Sequence, residues 1–283
     1  MPFAPSPTAR TRAGALLASV TALVSVGTLH PAPAAAASAP APSPRATAAV
    51  LDLDGTARTP VLHGQDSAYD TASIVKVDIL SALLLKAQDA GRRLTAGERG
   101  LAEPMIKRSD NAAADALWRR IGRASGLAAA NKRLGLASTT GGPGGKWGLT
   151  RTTASDQIRL LRAVFDGDPA GQQGSTAKSG SAKSGSPSRS ALNAESRTYV
   201  RTLMSQVVPE QTWGVSAVGG SGTPRALKNG WLQRNTSGLW DVNSVGQVTV
   251  KGHRCLVAVL SNGSASMSDG ISLVERTARE AVA

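Results

Sequence analysis

Ser73-Ile74-Val75-Lys76 places a hydroxyl and an amine three positions apart at the head of an apolar stretch. On a helix, positions i and i+3 share a face one turn apart. Lys76 would then stand within reach of the Ser73 hydroxyl, which is a poor nucleophile at neutral pH without a nearby base. A lysine serves as that base only if burial and a neighbouring cation pull its pKa down. At the start of a helix, Ser73 would also sit where backbone N–H groups and the dipole favour developing negative charge. Two further motifs follow in order, Ser109-Asp110-Asn111 and Lys228-Asn229-Gly230. The three together supply a nucleophile, a lysine base, a hydroxyl relay and a second cation without histidine.

Those groups work only if the intervening elements bring them together. Residues 46–52 alternate loosely and lead to Asp54-Gly55, a hairpin signal, before Pro60-Val61-Leu62-His63. Residues 73–90 carry Val77, Leu80 and Leu84 on one line and Ile79 and Leu83 on the next, a helical spacing that Gly91 ends. Further helices are expected over 96–108, 109–121, 153–165 (capped by Thr153 or Ser155) and 193–207. Strands are expected over 225–232, 239–250 and 254–261, with Lys251-Gly252-His253 as a tight turn. Ser268-Asp269 would cap a closing helix to the C-terminus. This order implies an α+β fold of the α/β sandwich type: an antiparallel five-stranded sheet flanked by helices, plus a helical lobe.

S-x-x-K, S-D-N and K-T-G, in that order, mark penicillin-binding proteins and class A β-lactamases. On Ser73–Lys76, Ser109–Asn111 and Lys228–Gly230, the chain resembles this penicillin-recognising serine hydrolase superfamily over residues 41–283. The resemblance implies Ser73 as nucleophile, Lys76 as base and Lys228 as the cation that depresses Lys76. It implies Ser109 as the hydroxyl that passes the proton to the leaving nitrogen, and Asn111 as the group that orients a substrate amide. The oxyanion hole would be the backbone N–H groups of Ser73 and Trp231, with Asn229 and Gly230 beside the substrate. The substrate would be a β-lactam or a D-Ala-D-Ala-type peptidoglycan peptide, and no cofactor or metal is needed. Asp110 is expected to be structural, as are Trp213 and Trp240.

Three departures bear on turnover. Class A β-lactamases carry a deacylating glutamate on an omega-shaped loop, whereas the corresponding residues here, 134–150, contain no acid. The stretch before Ser109 is short, and Asn229 replaces the usual Thr or Ser. Acylation is therefore expected, with poor class A deacylation.

The motifs have competitors. Ser175 and Lys178 repeat the first spacing, and Lys178-Ser179-Gly180 and Lys183-Ser184-Gly185 match the third more literally. All fall in a Gly/Ser/Lys insertion at about 167–190, with Ala-Lys-Ser-Gly-Ser twice in tandem, whose composition predicts disorder. The three histidines, His30, His63 and His253, have no triad context.

Residues 1–40 read as a signal peptide: Arg10 and Arg12 without an acid, an apolar small-residue run over 13–29, then A-x-A patterns. A secreted, cell-wall-side protein is expected. No cysteine near the leader offers a site for a lipid anchor, and the single Cys255 reads as a buried strand residue. The net charge of +13 suits anionic wall polymers as partners. Scattered basic residues, with two Phe and two Tyr, argue against nucleic acid. A monomer is expected. The alternative to an enzyme is a non-catalytic cell-wall-associated binding protein that retains the fold; a weaker option is an esterase acting on small acyl esters.

Overall fold

The structure, a computed structural model, describes residues 43–166 and 191–283. The expected leader, the insertion with its competing motifs, and His30 lie outside the described residues.

Strands β1 (Arg45–Asp52), β2 (Val61–His63), β5 (Ala226–Gln233), β6 (Trp240–Val250) and β7 (His253–Ser264) form one sheet in the order β2-β1-β7-β6-β5. Every neighbouring pair in it is antiparallel. Successive strand residues point to opposite faces, and here both faces are covered. On β7, Leu256, Ala258 and Leu260 pack with the helical lobe, whereas Cys255, Val257 and Val259 pack toward the C-terminal helix. That double burial explains the unbroken apolar run and the inert setting of Cys255. Lys251 and Gly252, with φ of 50° and 86°, close β6 onto β7 through a two-residue turn, one residue shorter than the sequence suggests because His253 already pairs with Val250.

The expected tight turn at Asp54-Gly55 is instead the start of a longer connection. Asp52 Oδ1 accepts from the N–H groups of Asp54 and Gly55 at 2.9 and 3.0 Å, and β2 does not begin until Val61. A small second sheet pairs β3 (Tyr69–Asp70) with β4 (Arg151–Thr152).

The lobe consists of α1 (Val75–Asp89), α2 (Ala96–Lys107), α3 (Asn111–Ile121), α4 (Arg123–Leu134), α5 (Ala154–Phe165) and α6 (Ala194–Ser205). A capping box of Thr95 and Glu98 starts α2, Thr153 caps α5 and Asn193 caps α6. On the opposite face of the sheet lies α7 (Met267–Ala281), whose cap is Ser266 rather than the expected Ser268. Among the described residues no helix is long and apolar enough to cross a membrane.

α1 runs through the middle of the lobe and buries even its polar residues, Lys76, Asp78 and Ser81. Neither carboxylate oxygen of Asp78 has a hydrogen-bond partner, and burial pushes this acid up to about 7, helped by the charge of Asp156. A raised acid stabilises the fold below its unfolded pKa, and that contribution is lost as the pH climbs toward 7. Asp78→Asn is therefore expected to gain about 3 kcal/mol on the parent between pH 5 and pH 8. Thermal unfolding at both pH values checks this; an equal difference at both would refute the assignment.

Candidate active site

Ser73 lies in a single 3-10 turn, Ala72–Ile74, that leads straight into α1. Ala72 holds a left-handed φ of 46°, a costly conformation for a residue with a Cβ. The turn is fixed from the sheet. Asn243 on β6 donates from Nδ2 to the carbonyls of Asp70 and Thr71 at 2.9 and 3.1 Å. Arg234 pairs with the Asp70 carboxylate. Half-buried Ser73 is thus presented by a clamped backbone while Lys76, one turn on, is fully buried.

Ser109 arrives from a second clamped turn. The Pro104 carbonyl in α2 accepts from the N–H groups of both Arg108 and Asp110 at 3.1 Å, and Ser109 between them takes a φ of 58°. Asp110 then caps α3 by accepting from the Ala113 N–H at 2.7 Å. This is a structural task, as the sequence suggests. The result is that the Ser109 carbonyl, the Ser109 hydroxyl and the Asn111 amide oxygen all face α1.

Lys228 comes from β5. Ala226 packs with the helical lobe and Leu227 toward α7, so alternation sends Lys228 and Gly230 to the lobe. Gly230 is required by close approach. A Cβ there would lie 2.7 Å from the Ser73 nitrogen and 2.8 Å from both the Ile74 nitrogen and the Thr71 oxygen.

Four groups therefore converge. Lys76 Nζ lies 2.9 Å from Ser73 Oγ, 3.0 Å from Ser109 Oγ, and 2.7 Å from both the Ser109 carbonyl and Asn111 Oδ1. Lys228 Nζ lies 3.0 Å from the same Ser109 Oγ and donates to its neighbour's carbonyl, Asn229 O, at 2.7 Å. One hydroxyl thus bridges two buried amines. Burial lowers Lys76 to about 7, against the pull of Asp110 and Asp115. Lys228 is held well below its usual value, by burial first and by the charge of Lys76 second. Dryness is the leading cause at both lysines, and the repulsion between the two amines acts beside it.

Asn229 departs from its expected role beside the substrate. It points to the face opposite Lys228, where Nδ2 donates to the carbonyls of Gln211 and Trp213 at 2.9 Å and Oδ1 accepts from Ser244 Oγ at 2.6 Å. The Trp231 indole also lies on that side, 5.9 Å from the Trp213 ring. Trp240 packs there too. His63 pairs with Glu280 and His253 with Asp52, and neither is bonded to the serines or lysines above.

Two participants escape the motif reading. Asn243 shows only as an amide inside an apolar strand. Trp147 is the sole aromatic residue in the acid-free segment 134–150. Its ring centroid stands 4.7 Å from Lys76 Nζ, and its Nε1–H donates to Asp115 Oδ1 on α3 at 2.6 Å. A cleft of about 510 Å³ opens beside this group, lined by Asn111, Asp115, Trp147, Leu232, Arg234 and Thr236 among others.

The profile of the beta-lactamase enzyme family matches residues 85–283. Among solved structures, TLA-1 extended spectrum beta-lactamase is similar over 84% of this chain and 91% of its own, with a TM-score of 0.65 and 15% identity. A mutant of PBP-A, solved as an acyl-enzyme complex with penicillin G, covers 84% and 89% with a TM-score of 0.64 and 22% identity. Such identities speak to the fold alone. A curated protein of Mycobacterium tuberculosis named "Putative lipoprotein LppW" is 30% identical over 121 residues, which is 43% of this chain. The match spans 38% of that protein's length.

Proposed function

We propose that this chain, which belongs to the beta-lactamase enzyme family, is an extracytoplasmic serine acyl-transfer enzyme that forms an ester on Ser73. The observation that carries this reading is a single hydroxyl, Ser109 Oγ, at 3.0 Å from each of two buried amines, one of them 2.9 Å from Ser73 Oγ.

In its neutral form Lys76 accepts the Ser73 proton as Oγ attacks the carbonyl carbon of a β-lactam or a D-Ala-D-Ala-type amide. The N–H groups of Ser73 and Trp231 hold the resulting oxyanion. Such donors contribute about 3 kcal/mol each to the transition state. The C–N bond then breaks as Ser109 protonates the leaving nitrogen, and the lysines replace the proton that Ser109 gives up. With Lys76 titrating at about 7, a large fraction is already the free base at neutral pH. Asn111 is left to orient the substrate, and Asn229 to brace the strand. An extracytoplasmic site is supported by the apolar leader and by the lipoprotein name of the relative; in this sequence the one cysteine is the buried Cys255.

Intact-mass measurement with a fluorescent penicillin tests the reading. A single covalent adduct is expected on the parent and none on Ser73→Ala. No adduct, or one that survives Ser73→Ala, overturns it. The basic charge would then favour a wall-associated binding protein, recognised by polymer binding that survives Ser73→Ala and collapses at high salt.

A further inference from the structure

We propose that Trp147 is a lid on the general base: it keeps water from Lys76 and so prolongs the ester on Ser73. The proposal rests on the reading above that such an ester forms.

Every side of the Lys76 amine is occupied. Ser73 Oγ, the Ser109 carbonyl, Ser109 Oγ and Asn111 Oδ1 take its hydrogen-bonding directions, and the Trp147 ring closes the remaining approach at 4.7 Å. The amine is left with 0% exposure. The lid is itself fastened. Asp115 lies one helical turn beyond Asn111, so α3 supplies both an acceptor for Lys76 and the anchor for the indole N–H. Behind it, Trp118 Nε1 donates to the Gly144 carbonyl at 2.9 Å, which ties the glycine-rich segment to α3 a second time. A methyl added at Gly148 would come within 3.8 Å of Ala72 Cα, so the segment also lies against the nucleophile turn.

Hydrolysis of the ester needs a water oxygen to bond to the acyl carbon while a base takes its proton. The bond from that carbon to Ser73 Oγ then breaks, and Oγ recovers a proton. Were Lys76 the base, the water would have to stand about 3 Å from its amine, in space now held by the indole. The open route runs through Ser109 on the Lys228 side, the path by which the leaving nitrogen received its proton. An acceptor that enters as the leaving group departed is served by that path. A water on the tryptophan side is not. Trp147 is thus a positioning residue whose effect falls on the second half of the reaction.

The test uses the whole protein, labelled with a fluorescent penicillin and freed of excess reagent, so that only decay of the formed ester is read. Trp147→Ala is expected to shorten its lifetime by about 100-fold, the lower range for a positioned base. Trp147→Phe, which keeps a ring over the amine but not the bond to Asp115, should restore most of the lifetime. Asp115→Ala, which frees the lid without removing it, should fall between. Circular dichroism melts establish that each variant is folded. Equal decay in parent and all three variants overturns the inference while leaving acylation intact. An unlabelled parent overturns both.

Discussion

Alanine in place of Lys76 is expected to slow acylation of Ser73 by about 10²- to 10⁴-fold, the range for a positioned general base. The argument is geometric first. Among the described residues this amine alone lies within hydrogen-bond distance of both Ser73 Oγ and Ser109 Oγ. It is also electrostatic, because burial brings it to about 7 and the neutral amine is the reactive form. The acylation rate of the parent should therefore rise with pH, with its midpoint near 7 and a plateau above. The rise reflects loss of the lysine proton; Asp78 titrates in the same range, so Asp78→Asn, which should keep the inflection, separates the two groups. Time-resolved labelling with a fluorescent penicillin between pH 5 and 9 reads both effects. A Lys76→Ala variant that keeps the parental rate, or its inflection near 7, would remove lysine from the role of base.

The second large effect is expected at Gly230, a residue with no chemistry of its own. Gly230→Ala would drive a methyl into the backbone of Thr71, Ser73 and Ile74 at 2.7–2.8 Å, where no side chain can swing away. Either β5 or the nucleophile turn must retreat. Lys228 rides on the first and Ser73 on the second, so the converging distances lengthen whichever moves. A misplacement of about 1 Å costs on the order of 100-fold in rate, and overpacking of this kind costs about 1–3 kcal/mol in stability. Labelling rate and denaturant unfolding should fall together. Full activity with unchanged stability would mean that the strand does not press on the turn as described.

What the sequence discloses about this site follows from how far each signal reaches. The Ser73–Lys76 spacing is local, and helix geometry alone puts both on one face. Ser109 and Lys228 are legible because motif order substitutes for the long-range contact. The sheet is legible too, since its C-terminal strands are long, apolar and joined by short turns. Likeness alone places Asn229 beside the substrate, although period two already sets it opposite Lys228. Trp147 lies 71 positions from Lys76, and no periodicity records which loop will cover which side chain. The Asp110 cap and the Asn243 clamp differ in the same way: the first acts three residues away, the second across the fold. The connection 53–60 is longer than Asp54-Gly55 suggests, because a dipeptide that suits a two-residue turn also suits the start of a longer loop.

Keeping two amines dry has a bearing on the energetics of the whole chain. In the unfolded polymer Lys76 and Lys228 would hold their protons up to their ordinary, far higher pKa values, so folding near neutrality releases protons into the solvent. Their contribution to stability therefore grows as the medium turns alkaline, whereas that of Asp78 fades between its unfolded value and about 7. The two tendencies meet close to neutrality. There Lys76 and Asp78 together lend the fold least support, and there the amine that would arm the serine stands midway between its two states.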